Sequence, residues 1–69
     1  MQVKINGKLE TIQEGGLTDL LKSRNIEAQM VTVELNNKII DRASLSSTTL
    51  QEGDEIEFIY FMGGGSLIR

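Results

Sequence analysis

Apolar and polar residues alternate over residues 1–5, with Met1, Val3 and Ile5 on one side and Gln2 and Lys4 on the other. A two-residue period predicts a half-buried strand. Asn6-Gly7 follows, the dipeptide favoured in a two-residue type I′ hairpin because both positions need positive φ. Lys8–Ile12 is the expected returning strand. Strict register puts Lys8, Glu10 and Ile12 on the core side and leaves Leu9 outward, so a short edge strand, splayed or bulged, is expected, with only Ile12 committed to the core. Gln13-Glu14-Gly15-Gly16 breaks the pattern, and the period then changes. Leu17, Leu20, Leu21 and Arg24 recur at helical spacing, with Gly16 as N-cap, Asp19 in the first turn and Asn25 as a left-handed stop. Ile26 is expected to fold back onto the core. Alternation returns at Met30–Leu35, and Asn36-Asn37 makes a turn into a short strand at Lys38-Ile39-Ile40. Residues 41–49 are polar, a loop with a single helical turn anchored by Leu45. A tight turn at Leu50-Gln51-Glu52-Gly53-Asp54 leads into the last strand, with Ile56, Phe58, Tyr60 and Met62 on one face and Glu55, Glu57, Ile59 and Phe61 on the other.

The order β-β-α-β-β-β, with one short helix, predicts an α+β domain in which a mixed sheet of four to five strands packs on that helix. The last strand is apolar on nearly both faces, as a central strand should be. The first strand is its natural parallel neighbour across the helix-bearing crossover. This is a β-grasp, or ubiquitin-like, architecture. Residues 1–62 form the expected domain, and 63–69 a flexible glycine-rich tail.

Composition narrows the chemistry. Sixty-nine residues make a single domain that buries roughly 60% of its unfolded surface. With no Cys and no His, disulfides are excluded and a structural zinc site lacks its usual ligands. Serines and carboxylates are scattered, with no imidazole or thiol to make a nucleophile–base pair, so a carrier or binding role is expected in place of an enzyme. A net charge of −3, dispersed along the chain, argues against nucleic acid. No leader segment and no apolar run of ~20 residues are present, so the cytoplasm is the expected location, with no membrane partner.

The chain through Gly65 resembles the ThiS family of small sulfur carriers. The resemblance rests on Val3-x-Ile5-Asn6-Gly7, on Leu17-x-x-Leu20-Leu21, and on Val31-x-Val33-Glu34-Leu35-Asn36-x-x-Ile39-Ile40-x-Arg42. It continues in Leu50-x-x-Gly53-Asp54-x-Ile56-Glu57 and ends at Gly64-Gly65. The sister MoaD family of molybdopterin sulfur carriers shares the fold and the diglycine but lacks the 34–42 stretch. The chain departs from the family pattern at Gly16 (often Thr or Ser), Asp41 (often Pro), Leu45 (often Trp), and in Ser66–Arg69 beyond the diglycine.

The resemblance implies that the carboxylate of Gly65 is adenylated with ATP by a ThiF-like activating enzyme and converted to a thiocarboxylate. Gly63 and Gly64 would thread the partner's active site, since glycine has no Cβ to clash in a narrow channel. No cofactor is bound; ATP is used by the partner. A ThiG-like thiazole synthase is the implied acceptor, with cysteine or homocysteine formation or molybdopterin synthesis as alternatives. Because Ser66–Arg69 locks the Gly65 carboxyl in an amide, the resemblance also implies a JAMM-type processing peptidase that cuts after Gly65. Ile59, Phe61, Glu57 and Arg42 are candidate partner-surface residues, weighed against plain sheet packing, solvated strand charge and a loop-fixing guanidinium. The rival from another class is a ubiquitin-like interaction module that binds through its sheet and carries no sulfur. For Gly63–Ser66 the plain alternative is a frayed end or linker.

Overall fold

The structure, a computed structural model, describes residues 1–62 and 66–68, with side chains described through residue 60. Strands β1 (Gln2–Ile5) and β2 (Lys8–Thr11) form the first hairpin, α1 (Leu17–Ser23) comes next, and β3 (Val31–Leu35) and β4 (Lys38–Ile40) form the second hairpin. β5 (Glu55–Met62) is the long central strand, and β6 (Ser66–Ile68) turns back along it. The main sheet runs β2-β1-β5-β3-β4, with β1 parallel to β5 and every other pairing antiparallel. Short 3-10 turns at Ala28–Met30 and Arg42–Ser47 carry the connections. The architecture is the expected β-grasp. The first of these two turns has no counterpart in the sequence pattern.

Turn chemistry explains both hairpins. Asn6 and Gly7 have φ of 51° and 84°, and Asn36 and Asn37 have 52° and 69°, so each two-residue turn has the two positive φ values of type I′. The first hairpin keeps strict register, Gln2↔Thr11 through Ile5↔Lys8, with no bulge. The expected splaying is not found, because the core-side charge is accommodated differently: the Glu10 carboxylate reaches across the edge to the Arg24 guanidinium at the end of α1.

Val3, Ile5, Val31, Val33, Ile56 and Phe58 from one sheet face, Leu17, Leu20 and Leu21 from α1, and Leu45 and Leu50 from the loop make one buried core. Leu45 is the expected anchor; Leu50, assigned by pattern only to a turn, is buried as well. The helix ends in a Schellman motif: Asn25 has φ 57°, Ile26 N–H bonds to the Leu21 carbonyl (2.9 Å) and Asn25 N–H to that of Lys22 (3.1 Å). Ile26 is thereby turned back against the core.

Glycine at the helix start has a packing reason. Leu17 N–H donates to the Thr48 carbonyl (3.1 Å) and Leu50 N–H to that of Gly15 (3.0 Å), drawing the two backbones together. A Cβ on Gly16 would sit 3.0 Å from the Thr48 carbonyl oxygen. The cap is instead made from the other side, Gly16 N–H donating to Asp19 Oδ2 at 3.3 Å. Gly16→Ala is expected to cost about 1 kcal/mol by crowding this contact, read as a lower denaturant midpoint with unchanged slope.

Candidate functional site

The site is organised by the far end of β5. Its first two residues, Glu55 and Ile56, pair with β1 on one edge, and residues 56–60 pair with β3 along the other. β1 stops at Ile5, and the turn residue Asn6 finishes the seam. Asn6 N–H donates to the Ile56 carbonyl (2.9 Å), and Asn6 Oδ1 accepts from the Phe58 N–H (2.8 Å). One asparagine therefore serves both the hairpin turn and the last position on that edge that the first hairpin satisfies. Beyond it β5 runs on, and β6 pairs with it at Tyr60↔Ile68, Phe61↔Leu67 and Met62↔Ser66.

The start of β5 is fixed as tightly. Asn36 N–H donates to the Glu55 carbonyl (2.8 Å), Glu55 N–H donates to Asn36 Oδ1 (3.0 Å), and Asn36 Nδ2 donates to Asp54 Oδ1 (3.0 Å). Asp54 Oδ2 in turn accepts from Gln51 N–H (2.8 Å). Gly53, with φ 86°, lets the chain make this turn. The strand that leads to the glycines is held at its origin from two sides.

The face of the sheet away from α1 carries charge. Glu34 on β3 lies directly opposite Glu57 on β5, and Lys4 on β1 opposite Glu55. Like charges in direct cross-strand register destabilise a sheet, by a few tenths of a kcal/mol up to ~1 kcal/mol. Glu57 is exposed, whereas Ile59, two residues further along the same face, is only 8% exposed. Ile59 pairs with Thr32 and is a packed residue, not an open apolar contact. Arg42 lies apart from these, on the turn after β4, where its Nη2 donates to the Gln29 carbonyl (3.4 Å). Gly63, Gly64 and Gly65 lie outside the described residues, as does the side chain of Phe61. Glu57 and Ile59 are thus brought together on one strand, and Arg42 is not.

Where a flexible tail is expected over 63–69, residues 66–68 form a strand. The sequence carries a signal for it: two apolar stretches, Ile59–Met62 and Leu67-Ile68, separated by a few glycines, are a hairpin pattern. The side-chain roles of Asn6 and Asn36 carry no such signal, because each residue is fully explained locally by its turn.

Among the described residues an open cleft of about 550 Å³ lies between the end of β2 and α1, lined by Thr11, Glu14, Asp19, Ser23 and Arg24 among others, with no residue from β5. Among the described residues no group of three or more potential ligands gathers to hold a metal. No helix among them is long and apolar enough to cross a membrane.

The profile of the ThiS family matches residues 3–65, from the first strand through the last glycine. The chain belongs to the ThiS family. It is 39% identical over 51 residues to the sulfur carrier protein ThiS of Bacillus subtilis, covering 74% of this chain and 77% of that one. It is also 33% identical over 66 residues to a thiazole synthase of Magnetococcus marinus, covering 94% of this chain but only 20% of the synthase. A thiazole synthase of Paramagnetospirillum magneticum is matched in the same way, so the chain spans about a fifth of the length of these two relatives. Among solved structures, the crystal structure of the thiamine biosynthesis protein ThiS from Geobacter metallireducens superposes with a TM-score of 0.82 at 40% identity. That superposition covers 94% of this chain and all of the other. ThiS membership and the β-grasp fold therefore stand together.

Proposed function

We propose that the chain is a sulfur carrier of thiamin biosynthesis whose working group is the carboxylate of Gly65. The observation that carries this reading is the extent of the family match, which runs through the central strand and includes all three glycines, Gly63–Gly65. In this reading residues 1–62 are the recognition body and residues 63–69 the tail. The Gly65 carboxylate attacks the α-phosphorus of ATP held by an activating enzyme, releasing pyrophosphate and forming an acyl adenylate. A sulfur donor then displaces AMP, leaving the thiocarboxylate. The carrier supplies the carbon and the reach; the partner supplies the catalytic groups.

Two further steps belong to the same proposal. In this chain Gly65 is joined to Ser66 by an amide, so hydrolysis of that bond, by a peptidase of the JAMM metalloprotease type, precedes adenylation. The acceptor is a thiazole synthase, a choice supported by the two thiazole synthases that contain a region similar to this chain. The exposed carboxylates of β5 suit a basic docking surface on the activating enzyme, and the destabilising Glu34–Glu57 register fits a face kept for recognition. Arg42, bonded to Gln29, acts in this reading as a loop-fixing donor.

Intact-mass analysis of the chain from its native host tests the proposal. The expected result is loss of everything after Gly65, together with a fraction in which one oxygen is replaced by sulfur at that residue. Finding only unprocessed, unmodified chain while thiamin is being made would overturn it.

A further inference from the structure

We propose that the edge of β5 at Tyr60 and Met62 is a strand-docking edge whose resident occupant is β6, and that β6 must leave before the bond after Gly65 is cut. The second half rests on the carrier reading above; the first half does not.

The direction of the backbone groups along β5 carries the first half. Asp54 and Ile56 accept from Lys4 N–H and Asn6 N–H (2.9 Å each), and Phe58 N–H donates to Asn6 Oδ1 (2.8 Å), all on the β1 edge. Glu55 uses both its backbone groups on the opposite edge, with Asn36. Even-numbered residues therefore turn their N–H and C=O toward β1, and odd-numbered ones toward β3. Tyr60 and Met62 continue the even series, but β1 has ended at Ile5. An edge of unpaired backbone groups is a template for another strand, and β6 takes it, with Ile68 opposite Tyr60 and Ser66 opposite Met62. By the same parity, Tyr60↔Ile68 and Met62↔Ser66 are the hydrogen-bonded pairs, and Phe61↔Leu67 is the closer, non-bonded pair.

The second half is a matter of reach. As register partners, Met62 and Ser66 have Cα atoms about 5.5 Å apart. A peptide bound as an extended strand, a common mode of recognition, places residues four apart about 13 Å from each other. The chain cannot satisfy both around the Gly65–Ser66 bond. An opened β6 is thus the form that a peptidase takes, and apparent affinity falls in proportion to the opened fraction.

The test uses the full chain carrying Phe61→Cys and Leu67→Cys. The chain has no cysteine of its own, and a non-bonded antiparallel pair, with Cα atoms about 4.5 Å apart, falls within disulfide range. The oxidised and reduced forms are compared by amide hydrogen exchange at Tyr60 and Met62 and by proteinase K cleavage between residues 62 and 68. Oxidation is expected to slow exchange at both amides and cleavage by at least about tenfold, since both then track the opened fraction. Ile68→Pro, which removes a ladder N–H, is expected to speed exchange at Tyr60, whereas Leu67→Pro, whose N–H points away from β5, speeds it less. The docking edge is overturned if no intramolecular disulfide forms, or if Ile68→Pro leaves Tyr60 exchange unchanged. The release requirement is overturned if oxidised chain is cut as fast as reduced chain. None of these readouts depends on adenylation or sulfur loading at Gly65, so retention of Ser66–Arg69 in the native host would sink the carrier reading while leaving the docking edge standing.

Discussion

A chain cut to end at Gly65 is expected to be adenylated by a ThiF-like activating enzyme, while the 69-residue chain is expected to give no adenylate at all. The difference is covalent. A glycyl carboxylate is a nucleophile toward the α-phosphorus of ATP, whereas the same carbonyl in an amide has no free oxygen anion to offer. ATP–pyrophosphate exchange in the presence of the activating enzyme reads the reaction directly. Adding Gly65→Ala to the cut chain should lower the exchange rate by about 100-fold, because in the carrier reading a Cβ would displace the carboxylate within a channel that takes bare backbone, and small misplacements at a reacting centre are costly. Binding of the globular body should change much less, so the loss would fall on turnover in preference to affinity. Exchange that is equally fast for the full and the cut chain would remove the need for processing. Equal rates for the cut chain and its Gly65→Ala variant would show that the activating enzyme tolerates a side chain at the terminal residue, removing the reason given for glycine there.

The second large effect is on the fold. Leu17→Ala is expected to destabilise the domain by about 3 kcal/mol. Leu17 is 0% exposed at the centre of the core, at the first position of α1, where its N–H is also tied to the Thr48 carbonyl. Truncation there leaves a cavity that a seven-residue helix anchored at both ends cannot close by shifting. A domain of this length holds on the order of 3–10 kcal/mol in total, so the variant sits near the limit of folding. Thermal unfolding followed by circular dichroism should show a fall in Tm of ~15–20 °C. Leu9→Ala, on the exposed side of the edge strand β2, is the internal control and should move Tm little. A small shift for Leu17→Ala would mean that α1 repacks, contrary to the fixed geometry of its two ends.

Much of this molecule is legible in its sequence because local and global signals agree. Asn6-Gly7 and Asn36-Asn37 demand positive φ, the three leucines of α1 share one helical face, and Asn25 followed by Ile26 ends the helix and points the chain inward. Each reading rests on a short-range rule, and each element forms where that rule puts it. The features that escape pattern reading depend on long-range partners. The edge strand β2 stays regular because Glu10 finds Arg24, fourteen residues away. Gly16 is glycine because the Thr48 backbone passes close by, and Ile59, which by alternation alone is a candidate contact for a partner, is packed. The candidate site divides the same way. Its address at the glycines comes from motif resemblance, while the fold contributes the strand that presents them.

The double use of Asn6 has one more consequence. It supplies the last bond that the first hairpin makes to β5, at Phe58, before the strand has finished. Beyond that seal lie only the pairing of Ile59 and Tyr60 with β3 and, among the described residues, the pairing of residues 60–62 with β6. The edge of β5 is thereby divided at Phe58 between two keepers: the first hairpin holds it up to that residue, and β6, the segment that follows the glycines in the chain, holds it beyond.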